Sequence, residues 1–175
     1  MAEPDPLSLL TAVRLVRSQH TVLPGAHLSL ALDDQTGVLD PAAMEPLVSL
    51  LSGLLPKDVA GIAVGAGTID VVLGYLLGKQ LEVPVASIVN RDGVIQVDGK
   101  LPRSGSVWTV ISVLDDPGSV SEFVAACAEA GVEAGGVIAL VDRLSSPEQT
   151  VRSLLRWADF SYEPDDCPVC AGATG

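Results

Sequence analysis

Three short segments of the sequence carry residue types that could do chemistry. Cys167 and Cys170 form a Cys-x-x-Cys pair, whose thiolates can bind zinc or close a disulfide. Gly65-Ala66-Gly67-Thr68 has glycines that let the backbone approach a phosphate at the start of a helix, although tight packing of a strand against a helix explains them equally well. The third segment, Asp115-Asp116-Pro117-Gly118-Ser119, is locally typical of a turn whose acids cap a helix.

The Cys-x-x-Cys pair leaves three interpretations open. A closed structural zinc site needs four ligands, and a symmetric dimer could supply two such pairs to one ion. The pair could instead form a redox disulfide or lie in an inert, mobile tail. His20 and His27 could contribute ligands only if the fold brings them close to the pair. Cys127, the remaining cysteine, falls on the apolar stripe of a predicted helix and is expected in the core.

Composition and charge limit the partners that the chain can have. The 175 residues, 48% of them hydrophobic and 18% charged, suffice for a domain with a buried core. The 22 acidic and 10 basic residues give a net charge of −12, a poor surface for nucleic-acid phosphates. No apolar run reaches the roughly 18–20 residues of a membrane-spanning helix, and the acidic start lacks the basic residues of a signal peptide. We therefore expect a cytoplasmic protein that binds neither nucleic acid nor membrane.

Strands and helices are predicted to alternate along the chain. Four short apolar runs, at 59–64, 85–89, 107–114 and 137–141, are typical of buried parallel strands. Ahead of them the sequence predicts a helix from Pro6 to about Arg17, a half-buried strand over 27–32 and a helix over 41–55 that starts at Asp40-Pro41. Further helices are expected to begin at Thr68, at the capping box Ser119-Val120-Ser121-Glu122, and at Ser146-Pro147-Glu148, the last carrying Val151, Leu154 and Leu155.

This order of elements indicates an α/β fold, with a mostly parallel sheet and helices on both faces. Alternating residues at 94–97, bounded by Asp-Gly at each end, predict a short antiparallel excursion from that sheet. Ligands of such sheets lie at the carboxyl ends of the strands. Asn90-Arg91 falls at one of these ends, where Arg91 could contact an anion or simply lie at the surface.

The stretch around the third segment resembles the signature of the type I phosphoribosyltransferases. Val107-Trp108-Thr109-Val110-Ile111-Ser112-Val113-Leu114 runs into the acidic segment, and 131–143 looks like the strand that follows in that family. The resemblance implies that Asp115 and Asp116 hold the ribose hydroxyls of phosphoribosyl pyrophosphate (PRPP), and that Gly118 and Ser119 cradle its 5′-phosphate. Gly65, Gly67, Thr68 and Arg91 complete the candidate ribose- and phosphate-binding set.

The rest of the chain is most similar to the orotate phosphoribosyltransferase branch. A hood with the turn Leu23-Pro24-Gly25 precedes the helix at 41–55 and the glycine-containing junction at 61–68, and the similarity covers roughly residues 10–162. It implies a single domain over 1–163, with hood elements at about 7–35, followed by a tail over 164–175. It also implies a homodimer, or a heteromer with a related subunit, that binds PRPP or a nucleotide and uses Mg²⁺ if active.

Two alignments of the family motif are open. Counted back from Gly118-Ser119 without gaps, the family's acid pair falls on Ile111-Ser112, and Asp115-Asp116 take the place of phosphate-binding threonines. That alignment puts two negative charges where a phosphate belongs. With a shortened phosphate loop, Asp115-Asp116 stay the acid pair, and Gly118 and Ser119 cradle the phosphate alone.

The basic loop of the orotate branch is also missing. In that branch a mobile loop with a lysine and a histidine closes over PRPP, whereas the stretch 91–99 is short and contains neither residue. The favoured hypothesis is a homologue that has lost ordinary transfer and acts as a non-catalytic or partner-dependent subunit. The alternatives are an active Mg²⁺-dependent phosphoribosyltransferase on a pyrimidine-like base, and a nucleotide or base sensor.

Overall fold

A computed structural model of the protein describes residues 5–24, 26–32, 41–65, 67–91, 94–144 and 150–172. The described strands form two sheets. The smaller sheet, the hood, has the order β1-β2-β9 and is antiparallel: β1 (Val16–Leu23), β2 (Ala26–Leu32), β9 (Ser161–Tyr162). The larger sheet has the order β5-β4-β3-β6-β7-β8: β3 (Val59–Val64), β4 (Val85–Arg91), β5 (Val94–Asp98), β6 (Ser106–Leu114), β7 (Glu133–Asp142), β8 (Val151–Arg156).

All neighbouring strands of the larger sheet run parallel except β4 and β5, which form the antiparallel excursion that the alternation at 94–97 predicts. In the described part of the chain five helices accompany the sheets: α1 (Pro6–Ala12), α2 (Pro41–Leu54), α3 (Thr68–Leu81), α4 (Pro117–Glu129), α5 (Pro168–Gly172). Short 3₁₀ turns at Trp157–Phe160 and Pro164–Asp166 flank β9. None of the helices in the described part of the chain is long and apolar enough to cross a membrane.

Two apolar cores lie on opposite faces of the larger sheet. Side chains of α1, α2 and α3 pack on one face together with Ile62 and Val64 of β3. Side chains of α4 pack on the other face, where Ala63 of the same strand points. This alternation along β3 follows from the two-residue period of a strand. The predicted α/β fold, a mostly parallel sheet with helices on both faces, is therefore confirmed.

The N-terminal prediction was wrong in part. The first helix was expected to run to about Arg17, but α1 ends at Ala12, and Val16 begins β1. Arg14 adopts a left-handed backbone conformation with φ of 54°, which ends the helical path. Pairing of β1 with β2, with Val16 opposite Leu32, then gives the following residues their backbone hydrogen bonds.

The last predicted helix was also wrong. The residues 151–156 form β8, parallel to β7, and the proposed helix start at Ser146-Pro147-Glu148 lies outside the described residues. Val151 packs on the core under α4, whereas Leu154 and Leu155 both pack on the opposite core. In a segment this short, apolar spacing alone does not separate the two periods, and pairing with β7 decides the outcome.

We predict opposite effects of alanine at two helical glycines. A Cβ at Gly74 in α3 would lie 2.0 Å from Cγ1 of Val64, whereas one at Gly53 in α2 would meet nothing within 4 Å. Gly74→Ala should therefore lower the free energy of unfolding by about 1–3 kcal/mol through overpacking. Gly53→Ala, the matched control, should raise it by up to about 1 kcal/mol because alanine favours the helix. Urea unfolding of both variants checks this, and equal effects would contradict the close packing of α3 on β3.

Candidate functional site

The junction between β6 and α4 is only two residues long. β6 ends at Leu114 and α4 begins at Pro117, so Asp115 and Asp116 form the whole connection, and both side chains are exposed. Asp116 is the N-cap of α4, and its carboxylate Oδ1 accepts the N–H of Gly118 at 2.9 Å. The helix thus starts before the predicted capping box at 119–122, which was wrong. The capping role that the local sequence suggests for the acids is filled by Asp116.

The junction between β3 and α3 also differs from its prediction. The N-cap of α3 is Gly67, with no side-chain capping bond, and Thr68 is the first helical residue rather than the cap. Beneath this junction lies the carboxylate of Asp70. A Cβ at Gly65 or Gly67 would lie 3.0 or 2.8 Å from its Oδ2. Glycines at these two positions therefore make room for a carboxylate of the chain itself.

Asp70 is a buried residue that the sequence reasoning missed. The N–H of Ser112 donates to its Oδ1 at 2.6 Å. The paired register of β3 with β6 ends at Val64 and Val110, whereas β6 continues to Leu114. Beyond the end of β3, the N–H of Ser112 in β6 has no partner on that strand. The Asp70 carboxylate therefore accepts it, since a backbone N–H that is shielded from water needs an acceptor. A lone aspartate in the first turn of a predicted helix carries no sequence signal for this contact.

The environment of Asp70 works against a second anion. Burial raises the pKa of Asp70 above its ordinary value, although the hydrogen bonds from Ser112 oppose the rise. In its ionised form this carboxylate would repel a phosphate placed over Gly65 and Gly67. The phosphate-binding interpretation of this glycine-containing junction thus has a charged group of the wrong sign beside it.

The third predicted position, Arg91, ends β4. It pairs with Val94 of β5, so only the two residues 92–93 connect the strands. The side chain of Arg91 lies outside the described part of the chain. A connection of this length leaves no place for a long loop that could close over a ligand.

A pocket of about 160 Å³ lies at the carboxyl edge, between α4 and the sheet. It brings together two of the predicted residues, Gly65 and Ser119, with Thr109 and Phe123. Among the described residues that line it, Glu122 alone carries a charge. The lining is otherwise largely apolar, so the pocket suits an uncharged group better than a phosphate.

A second cluster forms in the hood, far along the sequence from the first. Cys167 and Cys170 lie beside His20 of β1 and His27 of β2, and the ligand atoms of the four side chains are all within 4.8 Å of one another. The fold thus meets the condition that the sequence left open for the two histidines. Cys127, on the buried side of α4, lies in the core as predicted, and burial raises the pKa of its thiol to about 11.

Comparison with known proteins relates the chain to one group of transferases. It is 30% identical over 105 residues to an orotate phosphoribosyltransferase from Chlorobaculum parvum, a match that covers 57% of this chain and 54% of that protein. With the orotate phosphoribosyltransferase from Chlorobium phaeobacteroides it shares 31% identity over 130 residues, covering 71% of this chain and 65% of that protein. The chain thus spans between about half and two thirds of these relatives' length. No protein-family model matches it.

Solved structures share its fold. The crystal structure of orotate phosphoribosyltransferase from Aeropyrum pernix superimposes with a TM-score of 0.69 at 20% identity, covering 87% of this chain and 94% of that chain. The Mycobacterium tuberculosis orotate phosphoribosyltransferase gives a TM-score of 0.60 at 18% identity, covering 90% and 99%. The resemblance noted in the sequence is confirmed by both kinds of comparison.

We predict that Asp70 makes stability depend on pH. Because its pKa is raised in the folded protein, its contribution is fully present below the ordinary value of 3.8 and is lost as the pH rises through the folded pKa. Asp70→Asn keeps an oxygen acceptor for the Ser112 N–H but does not ionise. The variant should be at least as stable as the wild type at pH 7, and its advantage should shrink as the pH falls towards 4. Urea unfolding across this range measures the difference, and a constant difference would contradict the burial cost.

Proposed function

The chain is an orotate phosphoribosyltransferase-like protein with the type I phosphoribosyltransferase fold, and on this premise we propose that it has lost ordinary PRPP-dependent transfer. In this proposal it acts as a non-catalytic or partner-dependent subunit. The support comes from the carboxyl edge of the larger sheet, where the family resemblance places the substrate.

The observation that carries the proposal is the cap on α4. If Asp115 and Asp116 were the family's acid pair, Gly118 and Ser119 would have to hold the 5′-phosphate at the start of this helix. The N–H of Gly118 instead donates to the carboxylate of Asp116 at 2.9 Å. A phosphate would have to displace an anion that is covalently part of the same turn. The two-residue connection adds only the N–H groups of Asp115 and Asp116 themselves, where a longer phosphate-binding loop would supply more donors.

The other two junctions support the same conclusion. The Asp70 carboxylate lies beneath Gly65 and Gly67, and the connection from Arg91 to Val94 is too short for a closing loop. Transfer of a phosphoribosyl group needs donors and cations placed around developing charge before the reaction begins. At two of the junctions a carboxylate of the chain occupies the corresponding position, and at the third only two residues join the strands.

Mg²⁺, which the resemblance implies, does not fit the acidic pair well. The ion prefers oxygen ligands in a near-octahedral arrangement, and Asp115 and Asp116 are the carboxylates that the motif would offer. Asp116 already accepts a hydrogen bond as the helix cap. The pair is therefore not a preformed clamp, and we assign no step to a magnesium ion. The metal that we propose for this chain is zinc, at the histidine and cysteine cluster in the hood.

The pocket at the carboxyl edge favours a base sensor as the second candidate function. Its volume of about 160 Å³ is close to that of a roughly 150 Å³ protein cavity that accepts benzene. An uncharged planar ring fits a lining in which apolar residues dominate and Thr109 offers a polar atom. A base without a phosphate could therefore bind where PRPP does not.

A partner surface is part of the proposal. Val71 and Tyr75 lie one turn apart on α3, and 45% and 64% of their surfaces are exposed. Adjacent exposed apolar side chains of this size are typical of a contact with another subunit, here a second copy or a related chain.

A cytoplasmic location, where thiols stay reduced, agrees with the three free cysteines.

We predict that PRPP does not bind at micromolar concentration, with or without Mg²⁺. Calorimetric titration of the purified protein should show no saturable heat, and millimolar PRPP should not raise the melting temperature.

Asp116→Ala should lower the free energy of unfolding by about 0.5–2 kcal/mol through loss of the cap on α4. Asp115→Ala, the matched control at the neighbouring exposed position, should have a smaller effect.

The opposite result would support the active enzyme. Saturable, magnesium-dependent binding of PRPP that disappears in the Asp115→Ala/Asp116→Ala variant would contradict the proposal. Binding of a free pyrimidine or purine base without PRPP binding would instead favour the base sensor.

We also predict that α3 carries a dimer contact. The wild type should have the mass of a dimer by light scattering at micromolar concentration, and Val71→Glu/Tyr75→Glu should have the mass of a monomer. Val124→Glu, a matched control at an exposed valine of α4, should remain dimeric. A monomeric wild type, or a dimer that survives the double substitution, would contradict this assignment.

A further inference from the structure

The cluster in the hood has the distances of a tetrahedral metal site. Nε2 of His20 lies 3.5 Å from Sγ of Cys167 and 3.6 Å from Sγ of Cys170. Nδ1 of His27 lies 3.3 Å from Sγ of Cys170. Zinc bonds of about 2.3 Å to sulfur and about 2.0–2.1 Å to nitrogen, at tetrahedral angles, put sulfur and nitrogen roughly 3.6 Å apart. Three sulfur–nitrogen distances thus match a tetrahedral site, and the four ligand atoms all lie within 4.8 Å of one another, so small side-chain adjustments bring them all to one ion.

The backbone brings these ligands together from both ends of the chain. His20 and His27 lie on the paired strands β1 and β2, with their ring centroids 5.2 Å apart. Tyr162 of β9 pairs with His27, and the chain then continues through the 3₁₀ turn at Pro164–Asp166 to the two cysteines. The return of the tail to the hood is thus fixed by a strand pairing, and the cysteines lie over the histidines as a result.

The cysteine pair has the local structure of a metal ligand. The backbone N–H groups of Val169 and Cys170 point at the sulfur of Cys167. Backbone N–H groups directed at the sulfur stabilise the thiolate, which is the form that binds metals. The side chain of Cys167 is buried, so this metal ligand is shielded from solvent.

We propose that His20, His27, Cys167 and Cys170 bind one zinc ion in a closed structural site that joins the C-terminal tail to the hood. Two thiolates and two imidazoles in a tetrahedron are a typical zinc ligand set, and four protein ligands leave no open position for catalysis. A single chain supplies all four ligands, so the ion shared across a dimer, which the sequence left open, is not needed.

The histidines separate this proposal from the redox interpretation. A disulfide between Cys167 and Cys170 needs only the two thiols, and nothing in that chemistry requires two imidazoles at 3.3–3.6 Å from the sulfurs. The cysteines are free thiols in the structure.

The ion also has a mechanical consequence, because the short strand β9 pairs with β2 at only two positions. A metal bond to the tail would hold this third strand of the hood in place.

The first test is the metal content of the full-length protein purified under reducing conditions. Mass spectrometry of the metals should give about one zinc per chain. Replacement by Co²⁺ should give the intense visible bands of a tetrahedral ion and the ultraviolet band of a thiolate–cobalt bond. Removal of the metal with a chelator should lower the melting temperature, and added zinc should restore it.

Variants locate the ion. His27→Ala and Cys170→Ser should each lose most of the zinc and the thiolate–cobalt band, whereas Cys127→Ala, the matched control in the core, should keep both. Circular dichroism shows whether each variant is folded, and the cobalt spectrum of the wild type tests the site even if a variant is not. A protein without zinc whose cobalt complex lacks the tetrahedral bands would overturn the proposal. So would a protein isolated with a Cys167–Cys170 disulfide that does not bind zinc after reduction. These readouts do not involve the carboxyl edge, so they stand or fall separately from the PRPP titration.

Discussion

The hydrogen bond from the Ser112 N–H to the Asp70 carboxylate joins the start of α3 to the part of β6 that extends beyond β3. Without an acceptor, this partly buried backbone N–H would be unpaired, which costs free energy of up to about 1–3 kcal/mol. The contact requires a carboxylate beneath the β3–α3 junction, and that carboxylate in turn requires glycine at 65 and 67. The glycines that resemble a phosphate-binding loop therefore have a structural explanation.

The same arrangement recurs at the ends of two other strands. Asp116 accepts the N–H of Gly118 after β6, and the buried Asp142 accepts the N–H of Leu144 at 2.9 Å after β7. In a site for PRPP, backbone N–H groups at the carboxyl edge would face the phosphates of the ligand. Here carboxylates of the chain accept three of them. Three N–H groups occupied in this way are the structural basis for the proposal that the edge disfavours a polyanionic ligand, and the net charge of −12 acts in the same direction.

The sequence predicted the centre of the fold better than its margins. The bounds of β3 and the stripe of α4 followed from apolar periodicity, because buried strands and amphipathic helices are determined largely by local pattern. The start of β1 and the segment of β8 were predicted as helical, but strand pairing with distant residues outweighed their local spacing. The contact of Asp70 and the cluster in the hood could not be predicted from local sequence, because both depend on residues that are distant in the chain. His20 and Cys170, for example, are separated by 150 positions and meet only in the folded protein. The sequence shows the chemical type of each residue, but not which residues contact it in the folded protein.

The most direct test of the account is whether the N–H groups at the carboxyl edge are available to PRPP. Two-dimensional ¹⁵N–¹H NMR spectra of the protein, recorded with increasing PRPP and Mg²⁺, report on each amide separately. If carboxylates of the chain occupy these groups, the signals of Ser112, Gly118 and Leu144 will not move at millimolar ligand. Saturable shifts confined to Gly118, Ser119 and the β3–α3 junction would show that the edge still binds the substrate, and the account of a closed site would then be wrong.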